Sequence, residues 1–188
     1  MPRMARVVVP AYPHHVTQRG NRRQRVFLRD GDCPCYISEM RTACLQAGTR
    51  VLAYCLMPNH VHFVMVPAHE DGLRAAVAVA HRRYSRSINF REGWRGHLWQ
   101  ERFHSVVMDE FHLHAAIPYV ESNPIRAGLC AVATDWPWSS AAERVATGEH
   151  GLVDWDLREH LLDRRPIAEP TQNNDPSDEI RRHTRTGR

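Results

Sequence analysis

The chain has 188 residues, 43% of them hydrophobic, which suits one domain with a real core and excludes a wholly disordered protein. No apolar run approaches the ~20 residues that span a bilayer, and the first ten residues hold too short an apolar core for a secretory signal, so the expected compartment is the cytoplasm. The formal net charge is +4 and all 25 basic residues are Arg, a side chain suited to bidentate phosphate contacts and to stacking on bases.

Residues 12–18 predict a first short strand, with Pro13 tolerated near its start. A loop follows, Arg19-Gly20-Asn21-Arg22-Arg23, with Gly20-Asn21 as its turn signal. Asp30 or Asp32 caps a helix running to about Gln46, in which Tyr36, Ile37, Met40, Cys44 and Leu45 fall at helical spacing. Gly48 is placed to end it as a left-handed cap. Residues 50–57 form a second strand, apolar enough to be buried on both faces. Pro58-Asn59 then turns the chain into a third strand over 60–66, and so short a link implies an antiparallel hairpin.

Side chains alternate along a strand, so His60 and His62 share one face while Val61, Phe63 and Met65 share the other and point to a core. Two imidazoles side by side make half a metal site. The plain alternative is a polar pair on a solvated sheet face.

A second helix, Gly72 to about Asn89, puts Leu73, Ala76, Val77, Ala80 and Tyr84 on one stripe and leaves Arg82, Arg83 and Arg86 off it. Beyond a Gly- and Arg-rich loop over 91–96, a fourth strand is expected near 102–107, and Asp109 caps a third helix running toward Asn123. The order βαββαβ followed by a helix fits an α+β fold of the ferredoxin-like kind. That is a four-stranded antiparallel sheet with two helices on one face, plus one additional helix. The other face is expected to be open to nucleic acid, as in RNA-recognition modules.

Further on, Ser140 and Glu143 form a capping box for a short helix, and Trp136 and Trp138 are placed to pack this piece onto the domain. From about Glu169 the chain is rich in Pro, Asn, Asp and Arg, the composition of a mobile tail. The chain thus divides into a domain over 1–148 and a C-terminal extension over 149–188. Five cysteines, an odd number without paired spacing, read as reduced thiols.

The arginines cluster. Arg19, Arg22, Arg23 and Arg25 form one group; Arg82, Arg83, Arg86, Arg91 and Arg95 form another. Such groups suit a phosphate backbone, although a solvated surface carries them equally well. Tyr119 and Asn123, four residues apart, share a helix face. A tyrosine so placed is either a core residue or a nucleophile. Pro118 stands immediately before it and predicts a kink or a fresh helix start, which would put the tyrosine on a hinge.

Six stretches, in order over about residues 3–145, carry a family resemblance. They are the runs His15–Asn21, Ala53–His62, Gly96–Phe103, Tyr119–Leu129 and Trp136–Ser140, with the pair Arg83-Tyr84 between the second and third. Together they resemble the IS200/IS605-type Y1 transposases, and most of all the REP-associated tyrosine transposases.

The resemblance implies a His-hydrophobe-His single-strand endonuclease with one catalytic tyrosine. Tyr119 matches the nucleophile, and His60 and His62 match the metal pair. Asn123 matches the third ligand, which the wider superfamily often supplies as Gln. The implied ion is Mg²⁺ or Mn²⁺, whereas softness rules alone leave Zn²⁺ open too. The implied substrate is a single-stranded DNA hairpin with a flanking tetranucleotide, as in repetitive extragenic palindromes. It is cut through a 5′-phosphotyrosine with release of a 3′-OH, and strands are rejoined without ATP. Candidate DNA contacts are Arg19, Arg22, Arg23, Arg82, Arg83 and Arg86. The expected setting is the bacterial cytoplasm, at the nucleoid, as a monomer or homodimer and away from membranes. Two rivals remain. One is an inactive or domesticated relative that binds hairpin DNA or RNA without cutting. The other is an unrelated metallohydrolase that uses water, with Tyr119 structural.

Overall fold

Four strands make one antiparallel sheet: β1 (His14–Arg19), β2 (Thr49–Met57), β3 (His60–Pro67) and β4 (His104–Val107), in the order β2-β3-β1-β4. The computed structural model describes residues 7–146 and 151–163. The central strand β3 is covered on both faces, which is why it is buried from Val61 to Pro67 rather than alternating with solvent.

On one face lie α1 (Asp32–Gln46) and α2 (Gly72–Glu92). Val16, Tyr54, Val61, Phe63 and Met65 of the sheet meet Tyr36 and Met40 of α1 and Leu73, Ala76, Val77, Ala80 and Tyr84 of α2. The stripe expected on α1 fails at one position. Leu45 is 73% exposed, and Ala43 is buried in its place. Nine residues past Tyr36, at about 100° per residue, lands Leu45 on the far side of the helix. Gly48 does end this helix in the left-handed region, at φ 59°. Asp32 pins the pair of helices together: its carboxylate accepts from the Leu28 and Arg29 backbone N–H groups and from the Arg91 guanidinium of α2.

Beneath this layer, the Tyr36 hydroxyl lies 2.8 Å from His81 Nε2, and the His81 ring stacks on Trp99 at 4.2 Å. Burial pushes the His81 imidazole down to about 3. The unfolded chain therefore takes up a proton near pH 6.5 that the folded chain refuses. The stabilisation from keeping His81 neutral is whole above pH 6.5 and is lost as pH falls toward 3, at about 1.4 kcal/mol per pH unit. Denaturant melts at a series of pH values should show wild-type stability falling steeply through this window. His81→Gln, which cannot titrate, should fall more shallowly by about that slope.

The second face is open only in part. The helix α3 (Glu110–Glu121) covers the β2–β3 half of it, and Leu113, Ala116, Ile117 and Val120 pack on Leu52, Cys55, Val64 and Val66. The expectation of a free sheet surface for bases is thereby corrected for the β2–β3 half, where apolar residues recruited a helix to bury them; on the β1–β4 half Thr17 and Val106 are half-buried and His104 is exposed. Both tryptophans pack inward. Trp136 Nε1 donates to the Leu56 carbonyl at 3.0 Å, and the Leu56 N–H donates to the Trp138 carbonyl at 2.9 Å, which docks the segment on the edge of β2.

The cap that follows is shifted by one residue. Ser139, not Ser140, accepts from Ala142 N–H and starts α5 (Ser140–Val145). The Glu143 carboxylate is drawn away to the Leu152 and Val153 N–H groups. These lead into α6 (Trp155–Leu162), which Asp154 caps and which lies beside α3. Residues 151–163, the start of the expected extension, therefore pack into this layer, and the tail expected from about residue 169 lies outside the described residues. All five cysteines are free thiols. No described helix is long and apolar enough to cross a membrane.

Candidate active site

The β1–β3 register sets Arg19 opposite His60, Thr17 opposite His62 and His15 opposite Val64. Opposed residues in an antiparallel pair lean to the same face, so all of these share the face that α3 partly covers. His62 is fully buried. Its ring centroid lies 5.0 Å from that of His60 and 5.4 Å from that of His15, on which it stacks at 12°. From α3, the ring of Tyr119 stands edge-on to both His15 and His62, with centroids 6.0 and 6.2 Å away. Tyr119 is 7% exposed, but its corner is polar: the guanidinium of Arg126, in the short α4 (Asn123–Arg126), lies 4.7 Å from its ring centroid.

Pro118 does not divert this helix. α3 runs through it without a break, and the interruption comes later, at Ser122. A proline inside a helix costs about 3 kcal/mol. Burying four apolar side chains on the sheet returns about 1.5–3 kcal/mol each for the larger ones, so packing wins.

The two imidazoles of the His-x-His pair are held neutral. Burial, and then the charge of Arg19, push His60 down to about 4. Burial, and then His60 and His15, push His62 well below the ordinary histidine range. His60 Nδ1–H donates to Asn59 Oδ1 at 2.7 Å, which leaves Nε2 with its lone pair. His62 Nδ1 sits 3.2 Å from His15 Nε2, and its own Nε2 is buried with no hydrogen-bond partner. A buried ring nitrogen left without a partner is costly unless something binds it. Neutral rings anchored through Nδ1 with Nε2 left over are the usual form of metal-ligating histidine.

Asn123 turns its amide N–H toward the Tyr119 and Val120 carbonyls, at 2.9 and 3.3 Å. Among the described residues no group of three or more His, Cys, Asp or Glu is set to hold a metal. Two imidazoles and an amide oxygen, taken as a donor set, suit Mn²⁺ or Zn²⁺ by softness and admit Mg²⁺.

The arginines divide. Arg19 lies beside His60, and Arg22 and Arg23 form an exposed turn at the same end of β1, both in the left-handed region at φ 53° and 60°. Arg82, Arg83 and Arg86 are exposed on α2, across the sheet from Tyr119, with Arg83 3.5 Å from Glu39. Three residues of the site carry no role in the sequence reading: His15, Asn59 and Arg126. All three sit inside the motifs noted above, but only the strand register and the break at Ser122 bring them to Tyr119 and the histidines.

The profile of the family described as IS200-like transposases matches residues 8–123. A Haemophilus influenzae protein named REP-associated tyrosine transposase is 28% identical over 133 residues, covering 63% of this chain and 73% of that protein. The REP-associated tyrosine transposase of Escherichia coli K12 is 22% identical over 104 residues, covering 55% of this chain and 60% of that protein. Among solved structures, a REP-associated tyrosine transposase bound to a REP hairpin superposes with a TM-score of 0.61 at 17% identity, covering 93% of this chain and 98% of the other. That last likeness establishes the shared fold. The family profile spans more than half of the sequence and ends on Asn123, just past Tyr119, so the chain belongs to the IS200-like transposases.

Proposed function

We propose that this protein is a metal-dependent tyrosine transposase that cuts and rejoins single-stranded DNA hairpins of the repetitive extragenic palindrome type. The observation that carries the reading is the partnerless Nε2 of buried His62, on a ring 6.2 Å from that of Tyr119. In this reading His60 Nε2, His62 Nε2 and Asn123 Oδ1 hold Mg²⁺ or Mn²⁺. When bound, such an ion draws charge from a non-bridging phosphate oxygen.

The chain's own residues do the rest. The Tyr119 oxygen attacks phosphorus and its proton passes to solvent. The bond from phosphorus to O3′ breaks, and O3′ takes up a proton and leaves as a free hydroxyl. The 5′-phosphate stays on Tyr119. Arg126, already over the tyrosine ring, places positive charge where the phosphate must sit. Because the phosphotyrosine keeps the energy of the original ester, a second 3′-OH reverses the step and joins new ends without ATP.

Arg19, Arg22 and Arg23 seat phosphates at the histidine end of β1. Arg82, Arg83 and Arg86, on the far face, form a second basic surface for the more distant part of the hairpin. The protein works in the bacterial cytoplasm at the nucleoid, as a monomer or homodimer.

The test is incubation of the full chain with the hairpin repeats flanking its own gene in Mg²⁺ or Mn²⁺, followed by a denaturing gel. A protein–DNA adduct that EDTA prevents is the expected result. Tight binding without any adduct across those repeats would select the non-cutting alternative instead.

A further inference from the structure

Asn59 occupies the turn between β2 and β3, and its side chain faces two ways. Oδ1 accepts a hydrogen bond from His60 Nδ1–H at 2.7 Å. Nδ2 donates to the backbone carbonyl of Arg23 at 3.2 Å. The Asn59 carbonyl in turn accepts from Gly20 N–H at 2.8 Å, and the Pro58 carbonyl accepts from Val26 N–H at 2.9 Å. The arch of residues 20–26 is thus held at both ends by the turn that carries His60.

The arch needs holding. Arg22 and Arg23 are successive non-glycine residues at φ 53° and 60°, a backbone region that L side chains disfavour. Gly20 admits the close approach, because a Cβ there would lie 2.4 Å from the Gln24 carbonyl oxygen. The arch also presents two like charges outward, with Arg19 beside them.

We propose that Asn59 is a positioning residue that locks the His60 imidazole and the Arg22–Arg23 arch to each other, so that a cation on the imidazoles and a DNA phosphate on the arch each favour binding of the other. The inference rests on the metal-site reading above. The physical basis is the shared amide. An Asn59 fixed by the arch holds the His60 proton on Nδ1 and so keeps Nε2 available. A His60 fixed by a cation aims Nδ2 at the Arg23 carbonyl and stiffens the arch. Coupling of this kind is reciprocal by thermodynamic necessity.

The two ends of one amide can be separated by substitution. Asn59→Asp keeps the acceptor for His60 and removes the donor to Arg23; Asn59→Ala removes both. Mn²⁺ affinity is read on the DNA-free chain by electron paramagnetic resonance. Strand affinity is read by fluorescence anisotropy of a labelled oligodeoxythymidylate in EDTA and then in Mn²⁺, and thermal melts report whether each protein is folded.

Asn59→Ala should lose about 10- to 100-fold in Mn²⁺ affinity, the range seen when the partner of a ligating histidine is removed. It should also lose roughly 3- to 10-fold in strand affinity in EDTA, the worth of one hydrogen bond. Asn59→Asp should keep or raise Mn²⁺ affinity and still lose strand affinity. In the wild type alone Mn²⁺ should tighten strand binding by more than the small effect a divalent ion has on the variants. Should Asn59→Ala fail to fold, Asn59→Asp decides by itself. Unchanged Mn²⁺ affinity in Asn59→Ala, equal losses of Mn²⁺ affinity in both variants, or strand affinity untouched in Asn59→Asp would each overturn the coupling while leaving the metal site standing. A wild-type chain that binds no Mn²⁺ at all would instead remove the metal reading, and the coupling with it.

Discussion

Tyr119→Phe should lower strand cleavage by at least about 10⁴-fold, the scale on which removal of a nucleophile acts, while hairpin affinity stays within about twofold. The substitution takes away one oxygen and little else. The ring keeps its edge-on packing against His15 and His62 and its place under Arg126, because those contacts use the ring and not the hydroxyl. Its burial in α3 is likewise unchanged by the swap. The measurement is a quenched time course on the hairpin substrate with the adduct resolved on a denaturing gel, run beside an equilibrium binding titration. Loss of adduct with binding retained assigns the attacking oxygen to Tyr119. Normal cleavage by Tyr119→Phe would make water the nucleophile and return the tyrosine to a structural role. That result would also have to explain why a hydrolase places an aromatic ring edge-on to two histidines.

Much of this site is legible in the sequence because its signals are local. The His60-x-His62 spacing fixes a shared face by strand alternation alone, and the Tyr119–Asn123 spacing fixes a shared helix face. Asp109 caps α3 as expected, and the order of strands and helices to residue 121 follows from periodicity and turn residues.

What the sequence hides is non-local. His15 meets His62 only because β1 pairs with β3 in one particular register, and no short-range pattern specifies which strand lies beside which. The half-covered second face was hidden for a related reason. Leu113, Ala116, Ile117 and Val120 declare an amphipathic helix but not the surface it will choose. Ser139 displaced Ser140 as a cap because Glu143 had a better use 9 and 10 residues away, at Leu152 and Val153. Pro118 misled in the other direction, since a local rule for breaking helices gave way to burial.

Arg158→Ala should cost about 3 kcal/mol, the low end of the range for removing one partner of a buried ion pair because the Glu121 side chain is 17% exposed, and should lower the melting temperature by roughly 10 °C. Arg158 is 5% exposed, and its guanidinium donates to Glu121 Oε1 at 2.7 Å and to the Leu52 carbonyl at 3.3 Å. Glu121 also accepts from the Ser140 hydroxyl at 2.8 Å, so the carboxylate ties three segments together: the end of α3, the start of α5 and the middle of α6. Without Arg158 that carboxylate stays in the protein with one neutral donor and no cation, and desolvation is no longer offset. Arg50→Ala provides the contrast. Its pair with Asp154 is solvent-exposed on the arginine side, and such pairs are worth about 0–1 kcal/mol. Denaturant melts of the two variants should therefore differ several-fold in effect although each breaks one Arg–carboxylate pair. The double variant Glu121→Gln with Arg158→Met, which removes both charges and keeps the volume, should recover most of the loss. Glu121 lies two residues beyond Tyr119 on the last turn of α3, so the same Arg158→Ala protein should also form adduct more slowly at temperatures where it is still folded. A drop in stability with adduct formation unchanged would mean that the Tyr119 turn is held by the sheet alone, and that α6 braces the fold without bracing the chemistry.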